Sequence, residues 1–173
     1  MALSIKKISE IVAKKSYNFG IYFSPQDFQE CLNALNLLTF TRVQRLKFEY
    51  NITSHLATRR KGFYVFTIED LGFPSIDFKY LLYIGRAYKT NSFKKRFYKY
   101  RNSIGDSSAV ENIMLLTNLW PDNTFVYFFE LINDAEIQEI EKILINKLRP
   151  NFNEEYFTSR SVTSTSLYKI SNP

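Results

Sequence analysis

A change in hydrophobic pattern at Gly62 constrains the fold of this chain more than any other feature. Beyond it, short apolar runs at residues 63–66 and 80–84 are rich in aromatic and branched side chains, and a glycine and a proline lie between them. A third run of this kind spans residues 125–131. We therefore predict three strands, with the first two adjacent in a sheet.

The rest of the chain has mostly helical character. Residues 1–58 show apolar side chains at helical spacing and a Ser24-Pro25 helix start, and the region after residue 153 is a Ser/Thr-rich tail or extended arm. The downstream helices are predicted from Asn91 or Ser92 to about Arg101, from about Ser108 to Leu119, and from Asp134 to about Leu148, before Pro150. The order β-β-α-α-β-α predicts the α+β class.

Composition limits the classes of protein that fit. The chain has 173 residues, 45% of them hydrophobic and 17% aromatic, which predicts one packed domain and excludes a disordered protein. A net charge of +6 favours a polyanionic partner. The single cysteine, Cys31, allows no intrachain disulfide and is interpreted as a buried thiol. An early run of charge and the lack of a long apolar segment predict a soluble cytoplasmic protein with no membrane partner.

Residues 78–105 carry eight basic side chains and no acidic one, interleaved with eight Phe or Tyr residues. Lysine and arginine neutralise backbone phosphates, and aromatic rings pack a helix down or stack on bases. The alternative is a solvated helix face above core aromatics. The predicted contacts to nucleic acid are Lys89, Lys94, Lys95, Lys99 and Arg101.

Glu141 occupies an apolar face of the last predicted helix. A rotation of about 100° per residue places Ile137, Leu144, Ile145 and Leu148 within roughly 60° of it, whereas Glu139 lies about 160° away. An inward carboxylate is destabilising unless it is paired, hydrogen-bonded or bound to a cation. Two interpretations of Glu141 remain: it forms a structural salt bridge to an arginine, or it belongs to a functional site.

These features together resemble the GIY-YIG nuclease family. Residues 62–64 read Gly-Phe-Tyr and match its first motif with Phe in the middle place, and residues 83–85 read Tyr-Ile-Gly and match the second. Arg96 and Tyr100 match the arginine and the Tyr or His that follow. The closing signature of a glutamate, an aliphatic pair, a proline and an asparagine corresponds to the run Glu-Lys-Ile-Leu-Ile at residues 141–145, followed by Pro150 and Asn153.

A literal Gly-Ile-Tyr also occurs at residues 20–22, but it precedes a helix start and lies some sixty residues before Tyr83. It is therefore rejected. The resemblance, which covers residues 62–153, implies a small antiparallel three-stranded sheet flanked by helices, with an N-terminal helical extension at 1–58 and a tail at 154–173. The connection after Tyr64 is longer than is usual in the family, which predicts an inserted loop at 69–77.

The resemblance also implies a chemistry. Glu141 would hold one divalent cation, Mg²⁺ with Mn²⁺ as the alternative, because hard cations prefer oxygen ligands. Tyr64 would be the general base, assisted by Tyr83. Since a free phenol has a pKa of about 10, positive charge from Arg86 and Arg96 would have to draw its proton off.

The remaining positions take supporting roles. Arg96 would also neutralise the transition state, and Asn153 would brace the site by hydrogen bonding. Tyr100 shares the helical face of Arg96. The lone histidine, His55, lies outside the matching region and is interpreted as incidental.

The implied activity is metal-dependent hydrolysis of DNA. Chain length and layout favour a restriction-type or defence-associated endonuclease that cuts double-stranded DNA as a homodimer, since twofold symmetry matches palindromic sites. A non-catalytic nucleic-acid-binding module of the same fold and an RNA-directed nuclease or toxin are the alternatives. Base contacts depend on which segments reach a groove of the DNA, and the candidates are the 69–77 loop, the N-terminal helices and the tail.

Overall fold

The computed structural model of the chain describes residues 24–69, 79–102 and 122–153. Its elements are, in order, α1 (Pro25–Asn36), β1 (Arg42–Lys47), a 3₁₀ turn (Ile52–His55), β2 (Gly62–Glu69), β3 (Lys79–Ala87), α2 (Phe93–Asn102), β4 (Thr124–Glu130) and α3 (Asp134–Leu148). The predicted α+β class is confirmed. The predicted strands are found as β2, β3 and β4.

The sheet has four strands, in the order β1-β4-β2-β3, and every neighbouring pair is antiparallel. The prediction of three strands is therefore wrong. So is the helical reading of residues 42–47, which form β1 and pair with β4 from Arg42↔Glu130 to Lys47↔Phe125. β1 reads Arg-Val-Gln-Arg-Leu-Lys, and charged side chains of this kind are typical of edge strands. Backbone pairing with β4, rather than an apolar pattern of its own, makes it a strand.

The helix ends agree with the predicted signals. Ser24 Oγ accepts a hydrogen bond from the Asp27 backbone N–H at 3.2 Å, with Pro25 in the first turn of α1. Asn133 caps α3 by accepting from the Ala135 N–H at 2.9 Å. α3 ends at Leu148, and the next residue, Arg149, adopts a left-handed conformation before Pro150.

Each face of the sheet is covered by helices, so the described fold has three layers. Alternate residues of β2 and β3 point to opposite faces. One face packs with α2 in an aromatic cluster that includes Tyr64, Phe66, Leu82, Phe97 and Phe128. The other face packs with α1 and α3 in a cluster that includes Cys31, Phe63, Ile84, Ile137 and Leu144. Cys31 is buried, as predicted.

Several predictions concern other parts of the chain. The apolar spacing near the N-terminus, the literal motif at 20–22, most of the inserted loop, the helix at 108–119 and the tail lie outside the described residues. The proposed segment boundaries stay predictions. In the part of the chain that the structure describes, no helix has the length and apolarity needed to cross a bilayer.

Candidate active site

Tyr64 and Gly85 bring the two predicted tripeptide motifs into contact. They face each other in the pairing of β2 with β3, and the Tyr64 side chain is fully buried against the α2 side of the sheet. A Cβ atom added to Gly85 would lie only 2.5 Å from Cζ of Tyr64 and 2.8 Å from Cε2. Only glycine leaves room for the phenol here.

Three polar groups converge beneath α2 and form what is termed here the tyrosine–arginine cluster: Tyr64, Tyr100 and Arg96. The two phenol oxygens lie 2.5 Å apart. Arg96 Nε donates to the Tyr100 oxygen at 3.0 Å and to the Tyr64 oxygen at 3.3 Å. Arg96 and Tyr100 can share these contacts because residues four apart lie on one helical face.

The tyrosines engage only one of the donor groups of Arg96. Both contacts use Nε, so neither terminal amino group of the guanidinium is directed at a phenol. Arg96 is half-buried, whereas its two partners are buried. The guanidinium therefore has one end fixed in the core and a planar pair of donors suited to a phosphate or carboxylate.

Tyr83 extends the cluster toward the outer edge of β3. Its ring centroid lies 6.3 Å from that of Tyr64, and its side chain is half-buried. Burial raises the pKa of Tyr83, the Tyr100 phenol and the Glu141 carboxylate raise it further, and Arg96 opposes them. The pKa of Tyr83 therefore depends mainly on burial and on the charges of the tyrosine–arginine cluster, with a smaller effect from Glu141 on α3.

The pKa of Tyr64 is raised in the folded chain. Burial raises it well above 10, and the phenols of Tyr100 and Tyr83 add to the rise. Arg96 lowers it, as expected, but by less than these effects raise it. The net pKa is raised because loss of water around a phenolate outweighs one nearby cation, and the role of arginine charge in freeing the proton stays a prediction.

Glu141 lies on the inward face of α3, as its helical phase predicts. It is 6% exposed and packs among apolar residues of that helix, whereas Glu139 is exposed. Its Oε2 accepts a hydrogen bond from Arg86 Nη1, and the guanidinium of Arg86 also lies 4.7 Å from the ring centroid of Tyr88. The salt bridge left open by the sequence is thus present, and its partner is Arg86.

Asn153 joins the end of α3 to β3. Its side-chain oxygen accepts from the Ile84 N–H at 2.8 Å, and its side-chain amide donates to the Ile84 carbonyl at 2.7 Å. The Phe152 N–H donates to the Leu82 carbonyl at 3.0 Å beside it. The predicted bracing residue thus holds the strand that carries Tyr83, Gly85 and Arg86.

The donor chemistry around Glu141 fits a particular kind of cation. Within the described ranges, no group of three or more His, Cys, Asp and Glu side chains converges to enclose a metal ion. A single buried carboxylate suits an ion that keeps most of its water and takes further oxygen ligands from a phosphate, as Mg²⁺ does. Glu141 is therefore the residue that would hold such an ion, in exchange for Arg86.

The predicted basic residues separate into two groups. Lys94, Lys95, Lys99 and Arg101 all lie on α2, with Lys95 and Lys99 exposed. Lys89 lies before α2 and is also exposed, but its backbone N–H donates to Asp134 at the start of α3 at 3.2 Å. The α2 residues form one surface, and Lys89 stands apart from it.

The fold and the site define an α+β protein with a tyrosine–arginine cluster under α2 and a carboxylate–arginine pair between β3 and α3. Comparison of the chain with protein-family profiles, with characterised proteins and with solved structures finds no significant match. The family resemblance therefore rests on the sequence motifs and stays a prediction.

Proposed function

We propose that this protein is a metal-dependent DNA endonuclease with a site of the GIY-YIG type. The observation that carries the proposal is the convergence of Tyr64, Tyr100 and Arg96 on one hydrogen-bonded centre, with Glu141 buried on α3 and paired to Arg86 of the neighbouring strand β3. These residues come from β2, β3, α2 and α3. Core packing needs apolar contacts and does not by itself require such a group.

In this proposal Arg96 binds the scissile phosphate. Its Nε is held by two tyrosines, so its terminal amino groups are pre-oriented and lose little freedom on binding. A planar donor pair matches two phosphate oxygens and gains strength as negative charge develops on them. A lysine at this position would lack that geometry.

Tyr64 would take the proton of the attacking water in its phenolate form. Arg96 Nε, 3.3 Å from its oxygen, is the group that stabilises that phenolate against the effect of burial. The rate should therefore increase with pH across the neutral range, because the phenol is protonated there.

Glu141 would exchange Arg86 for a divalent cation, Mg²⁺ or Mn²⁺. When bound, such a cation polarises the phosphate and stabilises the leaving oxygen. Arg86, released from the carboxylate, would still be held by the ring of Tyr88, against which its guanidinium lies.

Double-stranded DNA is the proposed substrate, cut in the manner of a restriction or defence endonuclease acting as a homodimer. The basic surface of α2 and the net charge of +6 support a polyanionic substrate. The Arg86–Glu141 ion pair favours the second candidate, a non-catalytic nucleic-acid-binding protein in which this pair is structural. An RNA-directed nuclease is the third outcome of the same test.

The test is incubation of the purified full chain with supercoiled plasmid and with RNA, each with Mg²⁺, Mn²⁺ or EDTA. We expect nicked or linear DNA only with a divalent cation and no product from RNA. Arg96→Ala should abolish cleavage, whereas Glu139→Gln, on the exposed side of α3, should cleave like wild type. Binding without cleavage under every condition would favour the second candidate, and preferential cleavage of RNA the third.

A further inference from the structure

Two exposed tyrosines flank an arginine beside α2, in a group termed here the Tyr50 platform: Tyr50, Tyr98 and Arg101. The guanidinium carbon of Arg101 lies 4.9 Å from the ring centroid of Tyr50 and 4.5 Å from that of Tyr98. Tyr50 precedes the 3₁₀ turn, and the other two residues belong to α2. The group thus joins two separate parts of the chain.

The two rings contribute little to the core. Tyr50 is 71% exposed and Tyr98 is 50% exposed, and neither belongs to the buried clusters on the two faces of the sheet. A buried aromatic ring stabilises a fold mainly through the apolar area that it removes from water. These two rings leave much of that area in water, so they contribute little stability in this way. Contact with Arg101 instead holds their planes in place while much of each ring stays accessible.

A basic track connects the platform to the tyrosine–arginine cluster. An α-helix turns by about 100° per residue, so the positions of side chains around α2 can be compared with that of Arg96. Going around the helix axis in one direction from Arg96, Lys99 comes first at about 60° and Lys95 next at about 100°. Tyr98 follows at about 160°. Lys95 and Lys99 are exposed. No residue of α2 is acidic, and nearby Glu49 lies 4.0 Å from Lys47. The exposed half of the helix therefore carries positive charge from Arg96 to the aromatic rings.

We propose that the Tyr50 platform stacks an unpaired base of a DNA strand whose backbone follows Lys99 and Lys95 away from Arg96. Flat aromatic surface next to a line of cations matches a nucleic acid, since bases have π faces and the backbone carries one charge per nucleotide. Bases paired within a duplex cannot offer their faces to such rings. The inference rests on the proposed function for DNA as the partner, and it makes a duplex with an unpaired base near the cut the preferred substrate.

The test is fluorescence anisotropy of the full chain in EDTA, which prevents cleavage, with two labelled duplexes that differ only by a bulge of two nucleotides. Wild type should bind the bulged duplex about tenfold more tightly. Tyr50→Ala and Tyr98→Ala should remove this preference and leave the salt dependence of binding unchanged. Tyr50→Phe should retain the preference, because the ring is what stacks.

Two controls separate stacking from general effects. Phe28, an exposed aromatic residue on α1 across the sheet from α2, should be replaceable by Ala with no change in binding to either duplex. Lys99→Ala should weaken both duplexes alike and reduce the slope of affinity against salt by about 1.

Equal affinity of wild type for the two duplexes, or an equal loss on both with Tyr50→Ala, would overturn the platform. So would tighter binding to RNA of the same sequence or a failure to bind DNA. Plasmid cleavage without bulge preference would leave the nuclease proposal standing and remove this one. If the protein prefers the bulged duplex through Tyr50 but cleaves no DNA, the platform would stand and the nuclease proposal would fall.

Discussion

The two ends of β2 both bury polar groups, but they do so with different results. Near its start, Tyr64 lies in the tyrosine–arginine cluster, where burial raises the pKa of the phenol and Arg96 donates to both tyrosines through Nε. At its end, Glu69 is 1% exposed and has hydrogen-bond partners on both oxygens.

The Glu69 end is closed by its own neighbours. Thr67 donates to Oε1 at 2.7 Å, and Arg45 donates to Oε2 through Nε at 3.0 Å and Nη2 at 2.7 Å. Burial raises the pKa of Glu69, but these hydrogen bonds outweigh it and the net direction is downward. Burial of an acid therefore does not identify an active site, and what distinguishes Glu141 is that its partner Arg86 comes from β3, the strand that also carries Tyr83.

The largest expected effect is a difference in cleavage rate between variants of the two buried glutamates, Glu141 and Glu69. Glu141→Gln should lower the rate of plasmid cleavage by at least about a hundredfold, because it removes the proposed cation ligand. Glu69→Gln should keep the rate within about twofold at a temperature where it is folded. Initial rates at saturating Mg²⁺ measure both, and equal losses for the two variants would remove the distinction drawn between the two ends.

Gly85→Ala should disturb the Tyr64 end without changing any charge. The added methyl overlaps the phenol of Tyr64, so the ring must move out of its hydrogen bonds. We expect cleavage to fall by about tenfold to a hundredfold and the free energy of unfolding by about 1–3 kcal/mol. Ala87→Gly, on the same strand and face, should lower stability by about 1 kcal/mol and leave cleavage nearly unchanged.

Glu69 should affect stability in a pH-dependent way. Its pKa in the folded protein lies below the ordinary value of 4.5, so its contribution is present above that value and is lost as pH falls through the folded pKa. Glu69→Gln should therefore lower the free energy of unfolding by about 2 kcal/mol at pH 7 and by less below pH 4.5. Urea unfolding at both pH values gives the difference, which a structural role independent of charge would leave constant.

Replacing Arg86 should give the smallest effect. Arg86→Met removes the partner that the proposed cation must displace from Glu141, so Mn²⁺ should bind the free protein about fivefold more tightly, or ~1 kcal/mol. Titration calorimetry without DNA measures this directly. Weaker Mn²⁺ binding by the variant would show that Arg86 supports the cation site rather than competing for it, and Glu141→Gln provides the baseline without a site.

The elements with local signals could be predicted from sequence. The aromatic runs of β2, β3 and β4, the Ser24 cap of α1 and the helical phase of Glu141 all report on structure within a few residues. β1 carried no such signal, since its six residues are mostly polar and its pairing partner is distant in the chain. The burial of Glu69 could not be predicted because β2 is covered on both faces. Such a strand does not alternate between apolar and polar residues, so its sequence does not show which way an acidic side chain points.

Contacts between distant segments account for what the sequence left open at the site. Helical phase indicated that Glu141 needs a partner, but only the fold shows that this partner is Arg86. The sign of the Tyr64 pKa shift depends on how completely the sheet and α2 exclude water, which spacing along the chain does not report. Tyr50 lies in a segment without a motif, and its proximity to Arg101 follows from the packing of the 3₁₀ turn near α2.

The hydrogen bonds of Asn153 have a consequence for assembly. β3 is an outer strand of the described sheet, and Asn153 and Phe152 occupy the peptide groups of Ile84 and Leu82 that a further strand would use. An exposed strand edge invites pairing with another molecule, and here the chain seals its own. A second copy that extended this sheet would therefore have to approach along β1, so a dimer built edge to edge would hold its two Tyr64 sites at opposite outer margins of one continuous sheet.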